Sequence, residues 1–168
     1  GMRGAGLAAP ALSSPCPATV NGEADMIMLN AQLIPDVRQD PNLRIIRSRY
    51  SFLVTMVFQD MARPNEPSPW HDERVRKAAS LAIDRAGICK NIINGSSEPW
   101  RSFLAPYHAG YDSSRKPDPY DPERAKKLLA EAGYPNGFKT EVICLSSEAD
   151  IISVYKSYLA KIGVDLDI

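Results

Sequence analysis

The sequence predicts an α/β fold in which helices pack on a mixed sheet, and three observations carry that prediction. Two amphipathic helices with full capping signals begin at Asp72 and Asp121. From Thr140 to Ile168 a strand, a helix and a second strand follow one another, the pattern of a βαβ unit whose strands run parallel. Prolines gather in the connections, which implies several long ordered loops.

Regular patterning starts at Asn21. Asp25 to Leu29 reads as a short apolar strand, and Asn30 to Asp40 as a short helix around Leu33 and Val37 that Pro35 disturbs. Leu43 to Arg49 and Tyr50 to Gln59 read as extended. The second is rich in aromatic and β-branched residues: Tyr50, Phe52, Val54, Thr55, Val57 and Phe58. Met61 to Pro69 holds Pro64, Pro67 and Pro69 and is a loop. A helix then starts after Asp72, and Val75, Ala78, Ala79 and Ala82 form one apolar face. Asp84 caps a further helix, with Ile88 and Ile92 one turn apart, that ends near Asn94-Gly95.

Ser96 to Tyr120 shows no sustained period and carries Trp100, Phe103, Tyr107, Tyr111 and Tyr120. Long loops of this kind are often functional. The best-marked helix follows, with Asp121 as N-cap, Pro122 at the first position and Glu123 complementing the dipole. Ala125, Leu128, Leu129 and Ala132 form its buried stripe, Glu123 and Lys127 are spaced for an i,i+4 pair, and Gly133 closes it. Tyr134 to Gly137 is a turn and Thr140 to Leu145 a strand. Ser147 and Asp150 have capping-box spacing ahead of a helix whose apolar face is Ile151, Tyr155, Tyr158 and Ile162. After Gly163, the alternation of Val164, Leu166 and Ile168 with Asp165 and Asp167 marks the last strand.

Composition narrows the function classes. A chain of 168 residues with 44% hydrophobic and 24% charged content can bury a real core. Lys+Arg and Asp+Glu balance at 20 each, so nothing selects nucleic acid or an acidic membrane surface as a partner. No apolar run is long enough to cross a bilayer. Cys16, Cys89 and Cys144 stand far apart and read as small hydrophobes plus one tail thiol, with no metal site. Residues 1–20 read as a tag remnant, Gly1-Met2, and a poorly ordered or extended Ala/Pro/Ser-rich arm.

Motifs of catalysis are missing from the sequence: there is no nucleophile elbow, phosphate loop, dinucleotide fingerprint or zinc-protease helix. His71 beside Asp72 has the form of a base with its orienter, but Asp72 is needed as a helix cap and no nucleophile is identifiable. The expectation is a protein with no catalytic residues and no cofactor. The aromatic loop is the better signal. A groove for extended peptides needs flat apolar walls and hydroxyl or backbone groups. Trp100, Ser102, Phe103, Tyr107 and His108, with Tyr50 and Phe52 on the aromatic strand, are the candidate ligand-binding residues. The structural alternative is that Trp100 and Phe103 simply plug the loop onto the core.

Three stretches carry a family resemblance. They are Gly22-Glu23-Ala24-Asp25-Met26, the run from Asp72 to Arg85, and the run from Tyr120 to Pro135; Lys161 to Val164 extends them. In order and spacing they resemble the periplasmic oligopeptide- and dipeptide-binding proteins of ABC transporters, extracellular solute-binding family five. The resemblance implies a type II periplasmic-binding fold of two lobes, with residues 21–168 forming part of the second lobe. It implies a substrate-binding component that closes on a peptide or peptide-like small solute without chemistry. An ABC permease in the membrane and the first lobe of the full-length protein would be its partners, in a periplasmic or extracellular membrane-associated setting. Self-association through the lobe face left exposed is a further expectation.

The chain also departs from the pattern. Gln59-Asp60 replaces the usual Asn-Thr, Asn65 to Pro69 looks inserted, and Trp70 stands where Phe is common. By resemblance Arg74 and Arg76 tie the lobe together and do not touch ligand. Two other functions fit the same residues: a sensory or regulatory effector module of this fold, and a truncated product with no binding function of its own.

Overall fold

The computed structural model describes residues 24–27, 29, 31–46, 65–99, 104, 106 and 108–168. Its helices are α1 (Ile34–Val37), α2 (Glu73–Ala82), α3 (Arg85–Asn91), α4 (Pro122–Glu131) and α5 (Ala149–Ala160), and its strands β1 (Phe138–Glu141) and β2 (Val164–Asp167). The chain divides into two units, Gly1–Ser51 with Ala86–Glu98, and Phe52–Arg85 with Pro99–Ile168.

In the first unit a 3-10 turn over Ala31–Leu33 runs into α1. Contrary to the expectation from sequence, Pro35 does not disturb this helix. It sits in the first turn, where its missing N–H has no partner to lose. Ile34 and Val37 are buried. The expected strand at Asp25 is not formed among the described residues, where the chain bends and Met26 is 84% exposed. An apolar run becomes a strand only if a partner completes its hydrogen bonds. Ile88 of α3 is buried, but Ile92 lies beyond the helix end, where Ile93 and Gly95 donate back to Ile88 and Cys89, and it is exposed. Asn94 takes a positive φ of 51°, and its side-chain amide donates to the Ala31 carbonyl at 2.9 Å.

The second unit holds the main core. Asp72 caps α2 by accepting the Arg74 N–H at 2.8 Å, and Asp121 caps α4 by accepting that of Arg124 at 2.9 Å. Val75, Ala78, Ala79 and Ala82 are buried as the spacing predicts, and Leu81 joins them. From α4, Ala125 and Leu129 are buried while Leu128 and Ala132 pack at the margin. The helix ends in a Schellman motif: Tyr134 N–H donates to Leu129 at 2.8 Å and Gly133, at φ 93°, donates to Ala130 at 3.0 Å. Glu123 pairs with Lys126 at 3.1 Å and not with Lys127, one residue short of the predicted spacing.

β1 and β2 are parallel, in the register Phe138↔Val164 to Glu141↔Asp167, with α5 as the crossover. The βαβ unit is as predicted, and among the described residues the sheet has these two strands. β1 begins two residues before Thr140 and does not reach Leu145. β2 ends at Asp167, so the ladder stops with Val142 N–H on the Asp167 carbonyl, leaving Ile143 98% exposed. The Ser147–Asp150 box is not formed either. A 3-10 turn over Ser146–Glu148 precedes α5, whose first turn has no side-chain cap. The buried face of α5 is Ile152 and Leu159, one position round from the predicted Ile151 and Tyr158, while Ile162 just beyond the helix is buried as predicted. Each residue step turns a helix by about 100°, so Ile151 and Tyr155 fall at the edge of the core.

Trp70 knits these layers together. It is buried, its ring meets Phe138 edge-on at 5.2 Å, and its indole N–H donates to Thr140 Oγ1 at 3.0 Å. Phe138 also meets Tyr134 at 5.2 Å.

Two glycines separate backbone conformation from crowding. Gly133 has open space where a Cβ would stand, whereas a Cβ on Gly137, at φ 74°, would fall 1.9 Å from the Gly163 carbonyl oxygen. Gly133→Ala should therefore cost about 1–2 kcal/mol from the left-handed backbone alone. Gly137→Ala should cost at least ~3 kcal/mol, because the βαβ closure must also shift. Denaturant melts of the two variants would show the difference, and equal costs would contradict the close approach.

Candidate functional site

The second half of the aromatic loop is held to α2 by one carboxylate. Asp118 lies between Pro117 and Pro119, and its side chain is 6% exposed. It accepts from Lys77 Nζ at 2.7 Å and from the Ser80 hydroxyl at 2.7 Å. Arg85 approaches the same serine from the other side, donating to its carbonyl at 2.7 Å and its hydroxyl oxygen at 3.1 Å. Asp121 N–H donates to the Leu81 carbonyl at 2.9 Å. The last carbonyls of α2, which have no partner within the helix, thereby take Arg85 of α3 and the N-cap of α4, while the Lys77 and Ser80 side chains hold the loop.

The described second half of the loop also has hydrogen bonds of its own. Asp112 accepts from the Ser114 hydroxyl at 2.6 Å and the Ser114 N–H at 2.9 Å. These hydrogen bonds, led by the hydroxyl, hold its carboxyl below the usual carboxylate range. Tyr120 stands edge-on to Tyr158 at 5.7 Å, with Lys161 Nζ 4.6 Å from the Tyr158 ring centre.

Among the predicted ligand residues, His108 is described. It is exposed, and its carbonyl accepts the Tyr111 N–H at 3.2 Å. Tyr50, Phe52, Trp100, Ser102, Phe103 and Tyr107 lie outside the described residues. Open depressions occur elsewhere: one lined by Lys139, Thr140, Glu141, Lys156, Asp165 and Asp167, another by Val37, Arg38, Leu43, Arg44 and Ile45. Among the described residues no group of three or more His, Cys, Asp and Glu could hold a metal ion.

Asp72 serves as a cap and not as an orienter for His71. Its carboxylate takes the Arg74 N–H and the Arg74 guanidinium, which approaches to 2.6 Å. Arg74 also reaches the Glu131 carbonyl at 2.7 Å, and Arg76 reaches those of Trp70 at 2.7 Å and His71 at 2.9 Å. Both arginines tie the unit together, as expected. The anchor the sequence reading missed is Asp118. Its signal was a carboxylate fixed between two prolines, each restricting the residue before it.

Asp118→Asn should lower unfolding stability by ~1–3 kcal/mol, the usual loss for hydrogen bonds to a charged group. Arg115→Ala, which breaks an exposed pair with Asp112, should stay within about 0.5 kcal/mol of the parent. Denaturant titration would rank the two, and the reverse order would contradict the anchoring role. Asp72 adds a pH signature. Hydrogen bonds from the Arg74 side chain, then its N–H, hold the Asp72 carboxyl below its ordinary value. A group depressed by folding stabilises above its unfolded pKa, and the gain is lost as pH falls through the folded value. Parent and Asp72→Asn should thus differ in melting temperature at neutral pH and converge in strong acid.

The family model described as Bacterial extracellular solute-binding proteins, family 5 Middle, matches residues 17–168. Heme-binding protein A of Haemophilus influenzae is 31% identical over 121 residues, which is 71% of this chain and 21% of that protein. Glutathione-binding protein GsiB of Escherichia coli (strain K12) is 36% identical over 99 residues, 57% of this chain and 19% of that protein. The chain spans about a fifth of the length of these curated relatives. Among solved structures, the ABC transporter-associated periplasmic binding protein DppA from Helicobacter pylori, in complex with peptide STSA, is similar over 94% of this chain and 31% of its own, with TM-score 0.76 and 27% identity. The binding protein AgaA in complex with agropinic acid, from A. tumefaciens R10, covers 59% of this chain and 21% of its own, with TM-score 0.53 and 32% identity. The fold is that of the periplasmic binding proteins, and the chain belongs to the bacterial extracellular solute-binding proteins, family 5, matching the middle region of the family.

Proposed function

We propose that this chain is part of the second lobe of a substrate-binding component of an ABC importer. Its ligand is a peptide or peptide-like small solute, held between two lobes without chemistry and passed outside the cytoplasm to a membrane permease. The observation that carries this reading is the similarity to peptide-bound DppA along 94% of the chain, in step with the family match over residues 17–168. The anchoring of the loop's second half at Asp118 supports it, since a segment already held in place reduces the ordering cost of binding. Among the relatives, GsiB is named for glutathione, itself a small peptide, which favours peptide-like ligands over haem.

A solute enclosed by two lobes loses much of its buried surface when one lobe is absent, so this chain alone should bind weakly. With a mixed di- to hexapeptide pool at a concentration near Kd, the melting temperature should rise by roughly 1 °C, following the logarithm of ligand over Kd. Glutathione and haem would be tested in parallel. A tight stoichiometric complex would contradict weak half-site binding, and a response to haem alone would overturn the peptide assignment. Cleavage of the peptides would overturn the reading of a binding protein.

A further inference from the structure

Three Asn-Gly pairs stand in the chain: Asn21-Gly22, which lies outside the described residues, Asn94-Gly95 and Asn136-Gly137. An asparagine before glycine is open to attack on its own side chain, because glycine has no side chain to shield the following backbone nitrogen. The attacking nitrogen must leave its hydrogen bond, and the carboxamide must turn to meet it. The two described pairs meet these conditions differently.

At Asn94-Gly95 both groups are held. Gly95 N–H donates to the Cys89 carbonyl at 2.8 Å, and the Asn94 carboxamide donates to that of Ala31 at 2.9 Å. Asn94 is also half-buried. At Asn136-Gly137 only the nitrogen is held, where Gly137 N–H closes a surface turn on the Tyr134 carbonyl at 3.0 Å. The Asn136 side chain is exposed and among the described residues has no hydrogen-bond partner.

The place of this pair gives its modification a consequence. A Cβ on Gly137 would fall 1.9 Å from the Gly163 carbonyl oxygen, and one on Gly163 would fall 3.2 Å from that of Asn136. The main chain at 136–137 thus lies against the backbone between α5 and β2. Phe138 N–H then opens the strand ladder on the Gly163 carbonyl at 3.2 Å. Extra length in the backbone cannot be taken up there without displacing one side of the contact.

We propose that Asn136-Gly137 is a self-modification site, at which loss of ammonia and rearrangement to isoaspartate loosen the closure of the βαβ unit. The Gly137 nitrogen bonds to Asn136 Cγ and gives up its proton. The Cγ–Nδ2 bond breaks, and ammonia leaves with that proton. Water then opens the cyclic imide at either carbonyl. Opening at Cγ gives aspartate on an unchanged backbone; opening at the backbone carbonyl gives isoaspartate, whose main chain runs through Cβ and is longer by an atom.

The test is to age the whole chain at neutral pH in heavy-oxygen water, whose label marks each opened imide, both folded and in denaturant. Tryptic peptides 91–101 and 128–139 then report Asn94 and Asn136 separately by mass spectrometry. In the folded chain Asn136 should lose its carboxamide about fivefold faster than Asn94, which has one more hydrogen bond to open. In denaturant the two rates should converge, since neither side chain is then held. Asn136→Ser replaces an exposed side chain without a partner and should leave peptide 128–139 unlabelled. Aged parent should contain a fraction, matching its isoaspartate content, that melts roughly 5 °C lower. Asn136→Asp should melt with the parent, because it carries the new charge on an unaltered backbone. If a variant fails to fold, the peptide map and the melt of the parent decide. Equal rates at the two pairs in the folded chain, a rate difference that persists in denaturant, or an isoaspartate fraction that melts with the parent would each overturn the proposal.

Discussion

Along the contact of α2 with α4, the side chains are cut down to alanines: Ala78, Ala79 and Ala82 on one helix and Ala125 on the other, in one buried cluster with Val75, Leu81 and Leu129. Small residues let two helices approach closely, and a packed interior of this kind tolerates added volume poorly. Other features of the unit follow from that approach. The α2 carbonyls at Ser80 and Leu81 come within reach of Arg85 and of the Asp121 N–H, and the Lys77 and Ser80 side chains converge on Asp118. Arg74 can then cross from α2 to the Glu131 carbonyl at the far end of α4.

The polar contacts therefore divide by burial. Exposed pairs such as Lys126 with Glu123 and Lys139 with Asp165 lie on the surface, where charge attraction is largely offset by side-chain entropy and solvent. Asp118 differs because its carboxylate is shielded and would be costly to bury without its lysine and serine partners. The segment around Asp118 is thereby held to α2 by groups within the chain itself. Trp70 is the apolar counterpart, filling the space between α2 and β1 while its one polar atom finds Thr140.

Elements whose signals are local were legible in the sequence. Asp72 and Asp121 as caps, Pro122 in the first turn, Gly133 as terminator and the alanine face of α2 are all consequences of three or four neighbouring residues. Errors arose where an element depends on a distant partner. The strand expected at Asp25 lacks a ladder among the described residues, and β1 ends at Glu141, where its register with β2 ends at Asp167. The α5 face was read one position off because the aromatic residues Tyr155 and Tyr158 carry both apolar and polar character. The core took the purely aliphatic Ile152 and Leu159 instead.

By itself the sequence determined the class of fold, the family to which the chain belongs, and the ends of its two best helices, since capping and apolar spacing act over a few residues. It also placed Arg74 and Arg76 as ties and pointed to the aromatic loop. Only the tertiary structure decided that Asp118 anchors that loop and that Trp70 reaches Thr140. Those contacts join residues about 40 to 70 apart in the chain, a separation that local pattern does not encode.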